Sequence, residues 1–267
     1  MGTQKTGERV VRSKKQLTFQ IVGLVLMVVG LLVGVWIFYV AFIQDKAIID
    51  DQANKADKLV EIWSADAPDI DGLYSTINPP VLTEPDIGTE FATIRIPRFG
   101  EDYVYVIAEG TSTGRILDKG YIGHYVDTAM PGGLGNFAIA GHRTANGAGF
   151  HDLLELQVGD RVFIETSLGT YIYKITSSAI VSPSEVSVID ANPTNPGERP
   201  RERFLTMTTC NPLWSDKERI AVHAKLESWV GPEDKTDLYE MYSPFKGEVK
   251  PIPSPTSTPT STQGSTN

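Results

Sequence analysis

The chain has 267 residues, 41% of them apolar and 21% charged, with a formal net charge of −9. The apolar share supports a real core and excludes wholesale disorder, and the acidic balance excludes a protein that grips nucleic acid with a basic face. A single cysteine, Cys210, excludes a disulfide framework and a Cys-rich zinc cluster. It leaves two readings open: an inert buried thiol or a nucleophile.

The first element is a membrane segment. Ile21–Ile43 is an uncharged apolar run of 23 residues, which as a helix spans roughly 34 Å against a bilayer core of about 30 Å. It is too long for the apolar part of a cleaved signal peptide. It closes on Trp36, Phe38, Tyr39 and Phe42, aromatic residues suited to a membrane–water interface. Residues 1–20 hold Lys5, Arg9, Arg12, Lys14 and Lys15 against Glu8, a net +4. The positive-inside rule places this tail in the cytoplasm and everything after Ile43 outside, with a net charge of −13 on the remaining chain. The expectation is a single-pass cell-membrane protein with an extracellular main domain.

Residues 44–90 read as a linker or stalk. Ile48, Leu59, Ile62 and Trp63 fall at loosely helical spacing, and then Pro68, Pro79, Pro80 and Pro85 predict an extended or irregular path. Over residues 91–230 the pattern is β. FATIRIP, DYVYVIA, NFAIAGH, DRVFIET, TYIYKIT, RFLTMTTC and ERIAVHAKL are short runs rich in β-branched and aromatic residues, mostly bounded by Gly or Pro. DRVFIET and TYIYKIT are joined by Ser167-Leu168-Gly169, a hairpin loop, and the alternation in TYIYKIT predicts a half-buried strand. Only FHDLLEL (Phe150–Leu156) reads as a short helix. The prediction is an all-β barrel or sandwich of seven or eight strands. Residues 231–267 form a C-terminal extension, Pro/Ser/Thr-rich and expected to be disordered from Pro251.

Cys210 ends one of these runs immediately before Asn211-Pro212. Proline cannot continue a central ladder, so the strand stops there and leaves the thiol near a barrel rim. An unpaired thiol outside the cell is exposed to oxidation, which disfavours a purely structural role. A nucleophilic thiol needs a base, usually a histidine. Of four histidines, His142 ends an apolar strand, His124 lies in the turn-like GYIGHY, His151 opens the short helix as a surface residue, and His223 sits within a strand as a packed or partly exposed barrel residue. Arg219 opens the strand after the Cys run, and a permanently charged guanidinium suits a developing oxyanion.

Taken together, FATIRIPRFG, GYIGHYVDTAMPGGLGNFAIAGHRT, FHDLLELQVGDRVFIET, LTMTTCNP and ERIAVHAKL resemble the sortases, the cysteine transpeptidases of Gram-positive cell envelopes. The resemblance covers residues 91–228 and is strongest to the class E type of actinobacteria. Met207 replaces that class's usual Leu, and GYIGHY departs from its GPGH-like turn. It implies an eight-stranded β-barrel. Cys210 would be the nucleophile, His142 the general acid/base and Arg219 the oxyanion or substrate stabiliser, with His124 and Thr209 lining the substrate. The implied reaction cleaves an LPxTG- or LAxTG-like sorting signal between Thr and Gly through a thioacyl enzyme. The implied partners are secreted proteins bearing that signal and a peptidoglycan precursor amine as acceptor. No cofactor is implied and no metal-ligand spacing stands out. Two other readings fit the anchored β-domain: an envelope cysteine peptidase or hydrolase using water, and a non-enzymatic adhesin.

Overall fold

In the computed structural model, residues 14–39, 44–65 and 78–232 are described. The tail at 1–13, the end of the apolar run at 40–43, the Pro68 region and the extension from 233 onward lie outside them, and with them the expectations made for those segments. The chain divides into two units, residues 1–44 and 45–267.

The first unit contains helix α1, Lys14–Phe38. Within it Thr18–Phe38 is long and apolar enough to cross a membrane, and none of it is buried by protein. No charged side chain interrupts that stretch, so nothing opposes the transfer of its apolar surface into lipid.

The second unit begins with helix α2, Asp45–Ala65. The part of the connector read as loosely helical is therefore a helix, and it packs on the barrel. Ala56 is fully buried against Val104 and Val106, with Ala53, Leu59 and Tyr121 alongside. Eight strands follow: β1 (Glu90–Arg95), β2 (Val104–Glu109), β3 (Ile122–His124), β4 (Gly135–Ala140), β5 (Arg161–Thr166), β6 (Gly169–Val181), β7 (Arg203–Asn211) and β8 (Glu218–Val230). They close into a barrel in the order β1-β2-β3-β4-β7-β8-β6-β5. This is the all-β barrel that the alternating runs predict.

Seven strands coincide with the seven runs, and the eighth is β3, inside GYIGHY. With three residues it is too short to show a period of two, and its flanking glycines read as a turn. It pairs parallel to β2, and the crossover this requires is the segment Gly110–Tyr121. The segment FHDLLEL forms only a single 310 turn, Leu153–Glu155. In the β5–β6 hairpin, Thr166 pairs directly with Gly169, so the loop proper is Ser167-Leu168. The first part of β6 is more buried than a half-exposed strand: Tyr171, Ile172 and Tyr173 are all fully buried, and alternation resumes only at Lys174.

The core is the barrel interior. Ile94, Ile107, Phe137, Ile139, Ile164, Tyr171, Tyr173, Leu205, Met207, Ile220 and Val222 belong to one buried cluster. On β7 the inward residues are Leu205 and Met207, so period-two alternation sends Thr206, Thr208 and Cys210 to the outer side. The same rule sends His223 and Arg219 outward from β8, because Ile220 and Val222 point in.

Candidate active site

Register places the catalytic candidates. Strands β4 and β7 run parallel, with Ala140 opposite Thr208 as their last pair. The two chains stay bonded for one residue more: Gly141 N–H donates to Thr208 O at 3.1 Å, and Thr209 Oγ1 donates to Gly141 O at 2.8 Å. The next residues are His142 on one chain and Cys210 on the other. On the far side of β7, Cys210 stands directly opposite Arg219 of β8. Strand β7 ends at Asn211, immediately before Pro212, as the missing N–H requires. His142, Cys210 and Arg219 thus occupy three adjoining strand ends at one rim of the barrel. All three are partly exposed.

The surroundings give each a distinct state. His142 Nε2 lies 2.9 Å from Asp118 Oδ1, which also accepts a bond from Asn146 Nδ2 at 3.1 Å. Arg219 Nη1 donates to the backbone carbonyls of Asp216 and Glu218 at 2.8 and 2.9 Å. No carboxylate pairs with it among the described residues, so its charge is available to an anion. Beside this group, Arg143 donates to Asn211 Oδ1, and Asn211 Nδ2 donates to Glu218 Oε2 at 2.5 Å. These three brace the chain on both sides of Cys210. Arg143 Nε is buried and makes no hydrogen bond among the described residues.

His124 and Thr209, expected to line the substrate, lie beneath this face. His124 is fully buried as the last residue of β3, with Nδ1 2.7 Å from Glu109 Oε2 and Nε2 2.8 Å from Thr128 Oγ1. Its ring also stacks near Phe137, with centroids 5.2 Å apart. Thr209 is 3% exposed, with its hydroxyl bonded to Gly141 as above. It points opposite to Cys210 because the two are sequential on a strand. Thr208 takes the outer side instead, and its Oγ1 meets Tyr125 OH at 2.9 Å.

His151 is half-exposed, as a surface histidine, and bonds Arg143 O at 2.8 Å through Nδ1. His223 is partly buried, and that desolvation lowers its pKa below the ordinary imidazole value. Glu84, Glu109 and His124 are the one trio among the described residues whose potential metal-ligand atoms lie within 4.8 Å of one another. Both nitrogens of His124 and the N–H of Asp127, which donates to Glu84 Oε1, already satisfy that trio by hydrogen bonds.

Asp118, Arg143, Asn211 and Thr208 were not singled out by the sequence pattern. Asp118 sits in a crossover loop far from His142 in sequence, and only the β2–β3–β4 pairing brings the two together. The phase of Thr208 was available, since alternation counted back from Cys210 assigns it the same face.

A family model described as "Sortase domain" matches residues 94–227. Sortase SrtE1 of Streptomyces coelicolor is 40% identical over 52% of this chain, and the chain spans 41% of the length of that protein. Among solved structures, the SrtA sortase from Actinomyces oris superposes with a TM-score of 0.56 at 34% identity, over 59% of this chain and 91% of that one. A structure of sortase E1 from Streptomyces coelicolor with a tripeptide in the active site gives a TM-score of 0.50 at 39% identity, over 54% of this chain and 91% of that one.

Proposed function

Since this chain belongs to the sortase family, we propose that it is a membrane-anchored cysteine transpeptidase acting on an LPxTG- or LAxTG-like sorting signal outside the cell. The observation that supports the reading is the meeting of His142, Cys210 and Arg219 at adjoining ends of β4, β7 and β8. A binding module has no need of a thiol, an imidazole and an unneutralised guanidinium side by side.

The steps follow from those groups. Cys210, as the thiolate, attacks the carbonyl carbon of the Thr–Gly bond, and the electron pair of that carbonyl moves onto oxygen. Arg219 is positioned to hold this oxyanion or the substrate carbonyl beside it, without giving up a proton. The C–N bond then breaks, and the departing glycine amine takes a proton from the His142 imidazolium, because an amide anion is too poor a leaving group. The thioacyl enzyme remains. A primary amine of a peptidoglycan precursor attacks the thioester carbonyl and gives its surplus proton to His142, and collapse expels the Cys210 thiolate. One amide has been exchanged for another, so no oxidant or external energy source is required. Water in place of the amine would make the same enzyme a hydrolase, which is why the acceptor decides the outcome. With the anchor oriented as the charge pattern predicts, the barrel lies on the same side of the membrane as secreted clients and lipid-linked wall precursors.

The test uses the full chain in detergent micelles with a peptide carrying Leu-Ala-x-Thr-Gly and an added oligoglycine amine, followed by mass spectrometry. Expected is a ligated product joined after Thr, appearing in proportion to the amine, and no product or adduct with Cys210→Ala. Arg219→Ala lowers kcat/KM by about 100-fold or more, the scale of losing an oxyanion donor. Products that ignore the amine, or cleavage that persists in Cys210→Ala, would overturn the reading.

A further inference from the structure

We propose that helix α2 is a positioning element of the active site, setting the ring of His142 through Asp118 and Asn146. The proposal rests on the reading of His142 as the proton carrier. Two loops flank that histidine: Gly110–Tyr121, which carries Asp118, and residues 141–150, which carry His142 itself and Asn146. Their link is one oxygen, Asp118 Oδ1, shared by His142 Nε2 and Asn146 Nδ2. A carboxylate oxygen only accepts, so the bond requires the proton on Nε2 and leaves Nδ1 as the lone-pair nitrogen of the neutral ring. Among the described residues Nδ1 makes no hydrogen bond. Asp118 thereby fixes both the tautomer and the angle of the ring, the service a third group performs for a catalytic base.

Helix α2 grips the residues next to both partners. Gln52 is fully buried. Its Nε2 donates to the carbonyl of Lys119, the neighbour of Asp118, at 3.3 Å, and its Oε1 accepts the Val106 N–H of β2 at 3.2 Å. Asp45 Oδ1 accepts the N–H of Gly147, the neighbour of Asn146, at 3.2 Å. Between these bonds Ile48 wedges the two loops apart. A Cβ added at Gly120 would lie 2.3 Å from Ile48 Cγ2, and one added at Gly147 would lie 2.9 Å from it. Both glycines also have φ near +80°, at +83° and +81°, a backbone that side chains with a Cβ rarely adopt. The loops therefore leave a notch that one isoleucine fills.

Asp45, Ile48, Gln52 and Ala56 follow one another at three- and four-residue steps, so a single face of α2 makes all of these contacts. The barrel needs none of them to close, since β5 pairs directly with β1. A helix that contributes no strand pairing yet places three side chains on the two loops around His142 is built to hold those loops.

The experiment compares Ile48→Ala, Gln52→Ala, Asp118→Asn and the Gln52→Ala/Asp118→Asn double variant in the full chain in detergent micelles. Asp50→Ala, on the exposed side of α2, serves as control. Peptide transfer is measured below the unfolding temperature of each variant, and the His142 ring nitrogens are followed by NMR of 15N-histidine-labelled protein, assigned with His142→Gln. Expected are a fall in kcat of about tenfold or more with KM little changed, and a shift of the neutral His142 ring from the Nε2–H tautomer toward a mixture. The double variant should be no worse than Asp118→Asn alone, because both act on one contact, and Asp50→Ala should match the parent. If the α2 variants lower only the melting temperature, or if the double loss equals the product of the single ones, the proposal is wrong. Should Gln52→Ala fail to fold, Ile48→Val gives the same comparison with a smaller perturbation. The tautomer signal needs no substrate, so it decides this proposal even if the parent shows no transfer, a result that would instead overturn the assignment of the reaction.

Discussion

Thr206 has one hydroxyl proton and two partners, and the count settles the state of a third residue. Its Oγ1 donates to Asn136 Oδ1 at 2.8 Å, so the contact of 2.9 Å with His223 Nδ1 must be donated by the imidazole. Neutral His223 is thus held as the Nδ1–H tautomer. Asn136 passes the link on through its amide to the carbonyls of Val188 and Asp190, in the loop before β7. Burial lowers the pKa of His223 below its ordinary value, so the unfolded chain binds a proton there more readily than the folded one. The stability this neutral ring contributes is complete above the unfolded-state pKa, about 6.5, and is lost as pH falls from there through the folded value. Urea midpoints measured from pH 7.5 down to 5 should therefore fall more steeply in the parent than in His223→Gln. Parallel curves for the two proteins would show that His223 is not titrating against the fold.

At the scale of elements, two tyrosines of β6 tie neighbouring segments to the barrel, Tyr173 the loop between β3 and β4 and Tyr171 the segment before β1. Tyr173 is fully buried and its OH accepts the N–H of Gly132 at 2.8 Å, while Tyr171 OH donates to Pro80 O at 2.6 Å. Burial pushes the pKa of both phenols well up, so they stay neutral across the working range. Tyr173→Phe keeps the ring and strands the Gly132 amide, at a cost of about 1–3 kcal/mol. Chemical denaturation should show that loss, with kcat little changed because Tyr173 lies in the barrel interior. An unchanged midpoint would mean that water reaches the amide.

The strands themselves were legible because a barrel wall writes its two faces into the sequence as alternation. Strand β3 was not, having too few residues to alternate. Cys210 was legible as a strand end because Pro212 is a local signal. Arg219 was legible beside it because a short linker joins β7 to β8, whereas the parallel β4–β7 register that brings up the end of β4 is a long-range fact fixed only when the barrel closes. The same reason hid Asp118 and Gln52. The sequence marks α2 weakly, since its packing face carries Asp45, Gln52 and Ala56 beside Ile48 and so lacks a continuous apolar stripe. Thr209 adjoins Cys210 in sequence, but one position along a strand turns its side chain to the other face, and His124 is fully buried at the end of β3.

Across the whole molecule, charge is distributed unevenly along the chain. The first 20 residues carry a net +4 and the remainder a net −13, with the uncharged run between them. Basic residues beside an apolar helix resist translocation far more than acidic ones do, so the orientation proposed from this distribution has the N-terminus inside and the barrel outside. The proposed reaction requires the same orientation, because sorting signals and wall precursors meet at the outer face of the membrane. An N-terminal epitope tag should survive protease added to intact protoplasts, while the barrel is digested or released. Replacing Lys5, Arg9, Arg12, Lys14 and Lys15 with Gln removes the asymmetry around the apolar run and should produce a protease-sensitive tag in a measurable fraction of molecules. If the tag is digested in the parent protein, the orientation is reversed, Cys210 faces the cytoplasm, and transfer to an extracellular wall amine is ruled out whatever the rim geometry.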